Sequence, residues 1–219
     1  MLDVTFIVGD KKYTAIKDWK CYPKRFFVGE AIPKFAIIDV PYGNGALDVT
    51  SALGDVTYHE RNIEIPMIII ADDPMEIYSE ISNTIHGQTA KVIFNQDSDY
   101  YYQGRFECET LQTSGLKWQF TISGTVFPYK YYIHETKYTK KATTGGTSVI
   151  CRNDRMNVIP TFITTASGQV TITQGTNTYS FSSAGSHKFG GLVFTKGQNE
   201  ITLTGSNINV EITYRQGRL

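Results

Sequence analysis

Along the last third of the chain, apolar and polar side chains alternate in short runs. Val170 and Ile172, then Ile201 and Leu203, then Ile208, Val210, Ile212 and Tyr214 recur at every second position. A period of two places such residues on one face of a strand. Between the runs lie Gln174-Gly175, a serine-rich cluster over residues 182–186, Lys196-Gly197-Gln198 and Gly205-Ser206, which predict hairpin turns. Half-buried antiparallel strands at this density pack as a sandwich or barrel, a module suited to holding or being held.

The first part is also strand-rich. Residues 3–8 and 11–16 predict a hairpin around Gly9-Asp10, and residues 34–40 a further strand. Pro41-Tyr42-Gly43-Asn44-Gly45 then predicts a tight excursion before residues 47–53, because glycine and asparagine tolerate positive φ. Ile63, Ile65 and Met67 alternate with polar neighbours, and Pro66 within that run predicts an edge or a bulge. One helix is predicted over residues 74–86. Asp73 is a good N-cap, Pro74 suits the first turn, Glu76 is placed for a capping box, and Ile77, Ile81 and Ile85 recur every four residues before Gly87. Its narrow apolar stripe predicts that it lies on a sheet. Strands at 90–94 and 100–107 follow, joined by a turn at 95–98. Residues 111–113 and 117–127 form an extended hairpin turning at Ser114-Gly115 and ended by Pro128. Residues 130–138 predict another strand, and the glycine-containing stretch 143–147 a flexible turn or linker.

At 219 residues the chain can bury a sizeable core in one large or two modest domains. Basic and acidic side chains both number 21, so the net charge of +0 gives no global cue to nucleic acid or an anionic membrane. The balance is uneven along the chain. Residues 1–130 carry 12 basic and 17 acidic side chains, a net −5, and residues 131–219 carry 9 and 4, a net +5. Two domains, 1–130 and 131–219, are expected. Cys21, Cys108 and Cys151 are odd in number and widely spaced, which argues against a disulfide framework and fits synthesis in a reducing compartment. No secretory signal pattern opens the chain, and the longest apolar run, residues 67–71, is too short to cross a bilayer.

At this point the residues resemble a known family. Val40-Pro41-Tyr42-Gly43-Asn44-Gly45-Ala46-Leu47-Asp48-Val49-Thr50, followed by Gly54, Tyr58 and Arg61-Asn62-Ile63, is similar to the N-terminal signature of the distal tail proteins (Dit) of long-tailed, non-contractile bacteriophages. Further features agree in order: Asp73-Pro74 before a helix, the Tyr102, Gly104, Arg105 strand end, Pro128-Tyr129-Lys130, and Tyr214, Arg215, Gly217 near the C-terminal Leu219. The resemblance implies an all-β fold with one helix, an N-terminal β-sandwich with a protruding hairpin (1–130) and a C-terminal galectin-like β-sandwich (131–219). It also implies a baseplate hub without cofactor or enzymatic activity, a hexameric ring at the virion tail tip, assembled in the bacterial host cytoplasm. Its partners would be further copies, the tail tube protein, the tail-tip protein and a receptor-binding protein, with neither sequence-specific nucleic-acid binding nor membrane insertion. The chain is short for the family and carries no large insertion in its second domain.

A two-stranded ribbon is marginal alone, so the hairpin of Gln112, Ser114, Gly115, Leu116 and Trp118 is the expected contact with a neighbouring subunit. Trp118 has a second reading, as a core residue. The acidic first domain is expected to line a channel that lets DNA pass, since clustered Lys and Arg would trap phosphate. Other chemistry finds little support. His59, His86, His134 and His187 lack zinc-site spacing. Asp97-Ser98-Asp99 lacks the further ligands of a calcium loop and predicts a hairpin turn. Gly43-Asn44-Gly45 opens no βαβ unit, and neither a P-loop nor a nucleophile elbow is present. A carbohydrate-binding adhesin is the alternative, weakened because Trp19 and Trp118 both lie outside the second domain. A cell-wall hydrolase is a more distant one, since paired carboxylates need not be close in sequence.

Overall fold

The computed structural model describes residues 1–115 and 117–219, the side chains of Leu53 and Ser114 excepted. The chain divides into two compact units, Met1–Lys130 and Tyr131–Leu219.

In the first unit the strands are β1 (Val4–Val8), β2 (Lys11–Thr14), β3 (Cys21–Pro23), β4 (Phe27–Val28), β5 (Ile37–Asp39), β6 (Ala46–Asp48), β7 (Arg61–Ile69), β8 (Gln88–Phe94), β9 (Tyr100–Cys108), β10 (Gln112–Ser114) and β11 (Lys117–Val126), with helices α1 (Ala15–Trp19) and α2 (Pro74–Ile85). One antiparallel sheet runs in the order β2-β1-β8-β9-β11-β7-β3, with β4 also on β7 and β10 on β11. The sheet curls. Phe26, just before β4, meets Phe94 of β8 at 4.4 Å between ring centroids although three strands separate β4 from β8 in the order. The concave side holds the core, where Phe6, Trp19, Phe106, Ile65 and Met67 are fully buried.

Helix α2 closes that core with Ile81 and Ile85. It starts as its sequence predicts: the Asp73 carboxylate accepts the Glu76 N–H at 3.0 Å and Pro74 occupies the first turn, so backbone donors that a helix start leaves orphaned are satisfied. A second helix, α1, is a correction to the single-helix expectation. Residues 15–19 form one turn that buries Ala15 and Trp19, and the Asp18 carboxylate accepts the Thr14 N–H at 2.6 Å. One turn is too short to show a helical period.

Pro66 is not on an outer edge, because β7 pairs with β11 on one side and with β3 and β4 on the other. The Lys24 N–H donates to the Pro66 carbonyl at 2.9 Å in the gap between β3 and β4. In an antiparallel strand a residue's N–H and C=O face the same neighbour, so the missing proline N–H faces that gap and no ladder bond is lost.

Strand β12 (Lys130–Tyr132) stands at the boundary between the units. In the second unit, β13 (Thr136–Ala142), β20 (Ile208–Tyr214), β15 (Thr161–Thr164) and β18 (Gly185–Lys188) form one sheet, and β14 (Thr147–Asn153), β19 (Gly197–Gly205), β16 (Val170–Gln174) and β17 (Asn177–Phe181) another. A last short strand, β21, spans Gly217–Arg218. Both sheets feed one core, with Val210, Ile212 and Phe162 from the first and Ile172, Ile201 and Leu203 from the second. Only the Gly175 turn is a hairpin of the predicted kind, joining β16 to β17. Residues 182–184 and the stretch at Ser206 carry the chain from one sheet to the other. Residues 143–146 do the same between β13 and β14, pinned by the Gly146 and Gly205 N–H groups on the Thr143 carbonyl at 3.1 and 3.0 Å, and are no inter-domain linker. Turn residues permit a reversal without choosing the partner strand.

The C-terminal Tyr-Arg-x-Gly run is structural. The Tyr214 hydroxyl donates to the Arg152 carbonyl at 2.5 Å, and burial pushes its phenol far above the ordinary range. Arg215 donates to the carbonyls of Tyr132 and Ile133 at 2.7 and 2.5 Å, and a Cβ at Gly217 would stand 3.1 Å from the Met156 sulfur.

Candidate assembly site

Residues 29–61 leave the sheet after β4 and return at β7, and their hairpin β5–β6 pairs with itself, Ile38 opposite Leu47, in a sheet of its own. Its turn needs left-handed backbone: Tyr42 has φ 61° and Gly45 φ 81°, the first costly for a side chain and the second free for glycine. At the base of the hairpin, before and after its two strands, the Asp-x-Thr of the signature works as a staple. The Thr50 N–H donates to Asp48 Oδ1 at 2.9 Å and the Thr50 hydroxyl oxygen accepts the Ala36 N–H at 2.8 Å. The Thr50 hydroxyl, then its N–H, hold the Asp48 carboxyl below its ordinary pKa.

At the base of this arm the remaining signature residues converge. Arg61 donates from Nε to the Gly29 carbonyl at 2.7 Å and from Nη1 to the Pro128 carbonyl at 3.2 Å, with its guanidinium 5.6 Å from the Tyr102 ring centroid. Tyr58 meets Tyr129 edge-on at 5.9 Å. Lys130 pairs with Asp97 at 2.6 Å and lies over Tyr100 at 4.6 Å. Gly104 permits the close approach of β9 to β11, since a Cβ there would stand 2.0 Å from the Thr125 carbonyl oxygen. Residues scattered over the first 130 positions thus build one anchor for the arm.

The arm itself is apolar and uncovered. Of 15 exposed large apolar side chains among the described residues, seven fall between Ile32 and Leu47, with Ile37 60 % and Ile38 53 % exposed on successive positions. Successive strand residues face opposite ways, so one face of the ribbon is apolar, with Ile38 opposite Leu47, while the other mixes Ile37 and Ala46 with Asp39 and Asp48, and neither face packs against the core. Sequence reasoning located this excursion but not its exposure. The signal was the apolar stretch Phe35-Ala36-Ile37-Ile38, which does not alternate with polar residues until Asp39.

The hairpin expected at the interface is better supported by its own sheet. Strand β11 pairs with β7 up to Trp118 opposite Ile69, while β10 matches Gln112 with Gln119 and Ser114 with Lys117. Only the turn about Gly115 reaches past β7, and Leu116 lies outside the described residues. Trp118 is half-buried and packed against the core of the first unit. A cleft of about 220 Å³ beside this hairpin is lined by Glu109, Gln112 and Gln119 together with Pro66, Met67 and Phe120.

The histidines have local roles. His86 Nδ1 accepts the Cys108 N–H at 3.1 Å, His187 Nε2 bonds the Ser183 carbonyl at 2.9 Å, and His134 stands edge-on to Tyr132. Among the described residues no group of three His, Cys, Asp or Glu is placed to hold a metal, and no helix is long and apolar enough to cross a membrane. The three cysteines are free and buried; burial pushes the Cys21 and Cys108 thiols up to about 12 and that of Cys151 to about 11.

No family model and no curated protein matches the chain. Among solved structures, it matches the crystal structure of the SPP1 Dit protein, presented as a paradigm of the hub adsorption apparatus in phages that infect Gram-positive bacteria, with a TM-score of 0.66 over 99 % of each chain. The chain has the Dit fold. Identity between the two is 12 %, so the Dit fold is carried here by a largely different set of side chains. The all-β architecture implied by the sequence resemblance is the architecture found, and the match runs through both units, not through one sandwich module.

Proposed function

We propose that this chain is a structural, non-enzymatic protein of a phage tail tip, closing into a homo-hexameric ring that joins the tail tube to the tail-tip protein and its adhesion apparatus. End-to-end likeness to a hub protein supports the reading, and the observation that carries it is the bare arm. A two-stranded ribbon with an uncovered apolar face, Ile38 beside Leu47, is marginal in water and calls for a protein surface to cover it. Closed rings arise from head-to-tail contacts in which one surface meets a different one. Residues 1–130 form the ring and, at net −5, line its channel; residues 131–219, a galectin-like sandwich at net +5, face partners that include a receptor-binding protein. Assembly takes place in the host cytoplasm, and the protein resides at the virion tail tip. The turn about Gly115 is a second contact between subunits. Light scattering with negative-stain imaging of the purified chain tests this, with hexameric rings expected. A chain that stays monomeric at all concentrations and binds glycans would establish the adhesin alternative instead.

A further inference from the structure

The arm and one strand edge of the same unit are complementary in a way that specifies how copies would join. Between residues 30 and 60 the arm carries five acidic side chains, Glu30, Asp39, Asp48, Asp55 and Glu60, and one basic, Lys34, a net −4. Strand β2 and helix α1 carry the opposite sign: residues 11–20 hold Lys11, Lys12, Lys17 and Lys20 against Asp18, a net +3, and the Asp18 carboxylate is already engaged by the Thr14 N–H. Lys11 and Lys12 are exposed. Strand β2 ends the strand order and, among the described residues, pairs with β1 alone, so its outer backbone groups await a partner.

Resting on the ring reading above, we propose that the β5–β6 hairpin of each copy docks along the β2 edge of the next copy, its acidic side chains meeting Lys11 and Lys12. The arm departs from the β7 end of the strand order and β2 forms the other end, so the two surfaces differ and the contact propagates head to tail. Pairing arm to arm would bring net −4 against net −4, and like charges brought together oppose association. Apolar residues Ile38 and Leu47 lose water in the contact, while charge selects the partner and the direction.

The competing explanation is that Lys11 and Lys12 merely guard a free edge against unwanted pairing. Charge reversal separates the two. An arm variant, Asp39→Lys, and an edge variant, Lys11→Glu with Lys12→Glu, are each expected to form at least about tenfold less ring than the parent at equal concentration, a loss of roughly 1.4 kcal/mol or more. Mixed in equal amounts, the two should regain rings, because a reversed arm then meets a reversed edge and a native arm a native edge around an alternating hexamer. An edge variant that assembles like the parent, or a mixture that stays dissociated, overturns the docking while leaving the ring intact. A parent that forms no ring removes both. If reversal impairs folding, the pair Asp39→Cys and Lys12→Cys gives a second reading. The native thiols are buried, so oxidation should yield a ladder of linked chains, and its absence in assembled rings overturns the proposal.

Discussion

Replacing Arg61 by alanine should loosen the base of the arm more than any exposed charge change would. The guanidinium makes two charge-assisted hydrogen bonds to part-buried carbonyls, of Gly29 at 2.7 Å and Pro128 at 3.2 Å. Bonds of this kind contribute about 1.5–3 kcal/mol each, and the longer one belongs at or below the low end. The contact with Tyr102 adds about 0.5–1 kcal/mol. Shared partners make these terms less than additive, so a loss of about 3 kcal/mol is expected for Arg61→Ala. Lysine keeps the charge but cannot reach both carbonyls with a planar fork, and Arg61→Lys should cost roughly half as much. Equilibrium urea unfolding of the two variants against the parent measures this. An alanine variant within about 0.5 kcal/mol of the parent, the range of an ordinary surface change, would refute the anchor.

Three more outcomes follow from the same geometry. Each buried cysteine has a thiol pKa raised in the folded state above its ordinary 9.0, to about 12 for Cys21 and Cys108 and about 11 for Cys151. Unfolded chains therefore release these protons first as pH rises, so stability present below pH 9.0 should decline above it, by up to about 1.4 kcal/mol per pH unit per thiol; thermal denaturation from pH 8 to 11 tests this, and a Cys21→Ala variant whose slope equals the parent's would contradict it. Chymotrypsin should cut the dissociated chain at the fully exposed Tyr42 and spare the assembled ring, and equal cutting in both states would place the arm outside the contact. Shortening the turn at residues 114–117 should leave β7–β11 pairing intact and weaken the ring, as read by its dissociation on dilution. Removing residues 112–119 would instead take away the partners of Ile69 and Ile68 and damage the fold itself.

Local signals carried much of the fold. Asp73, Pro74 and the isoleucines of α2 set that helix because capping and a four-residue period are properties of adjacent positions. Strand partners were less legible, since the residues around Ser206 would turn a hairpin as readily as they cross between sheets. Helix α1 was missed, its first two residues read as the end of a strand, because five residues cannot display a helical period. The arm shows the deeper limit. An apolar run such as Phe35 to Ile38 reads the same whether its cover is the chain's own core or another molecule, and only the placement of its side chains tells the two apart. Signature residues Tyr58, Arg61 and Tyr102 were recognisable in order, but their convergence is a product of the folded sheet.

The placement of the two tryptophans has a practical consequence. Trp19 is fully buried, stacked on Tyr13 at 5.2 Å, and Trp118 is half-buried near the tip of β11. Both belong to the first unit, and the second contains none. Indole emission therefore reports on the first unit alone, while tyrosines in both units contribute to near-ultraviolet absorbance. Comparing the two signals during denaturation resolves whether the units melt together or in sequence, with no label attached. In the proposed ring Trp118 would also serve as an intrinsic optical probe of assembly, its emission shifting to the blue if the hairpin tip loses water there.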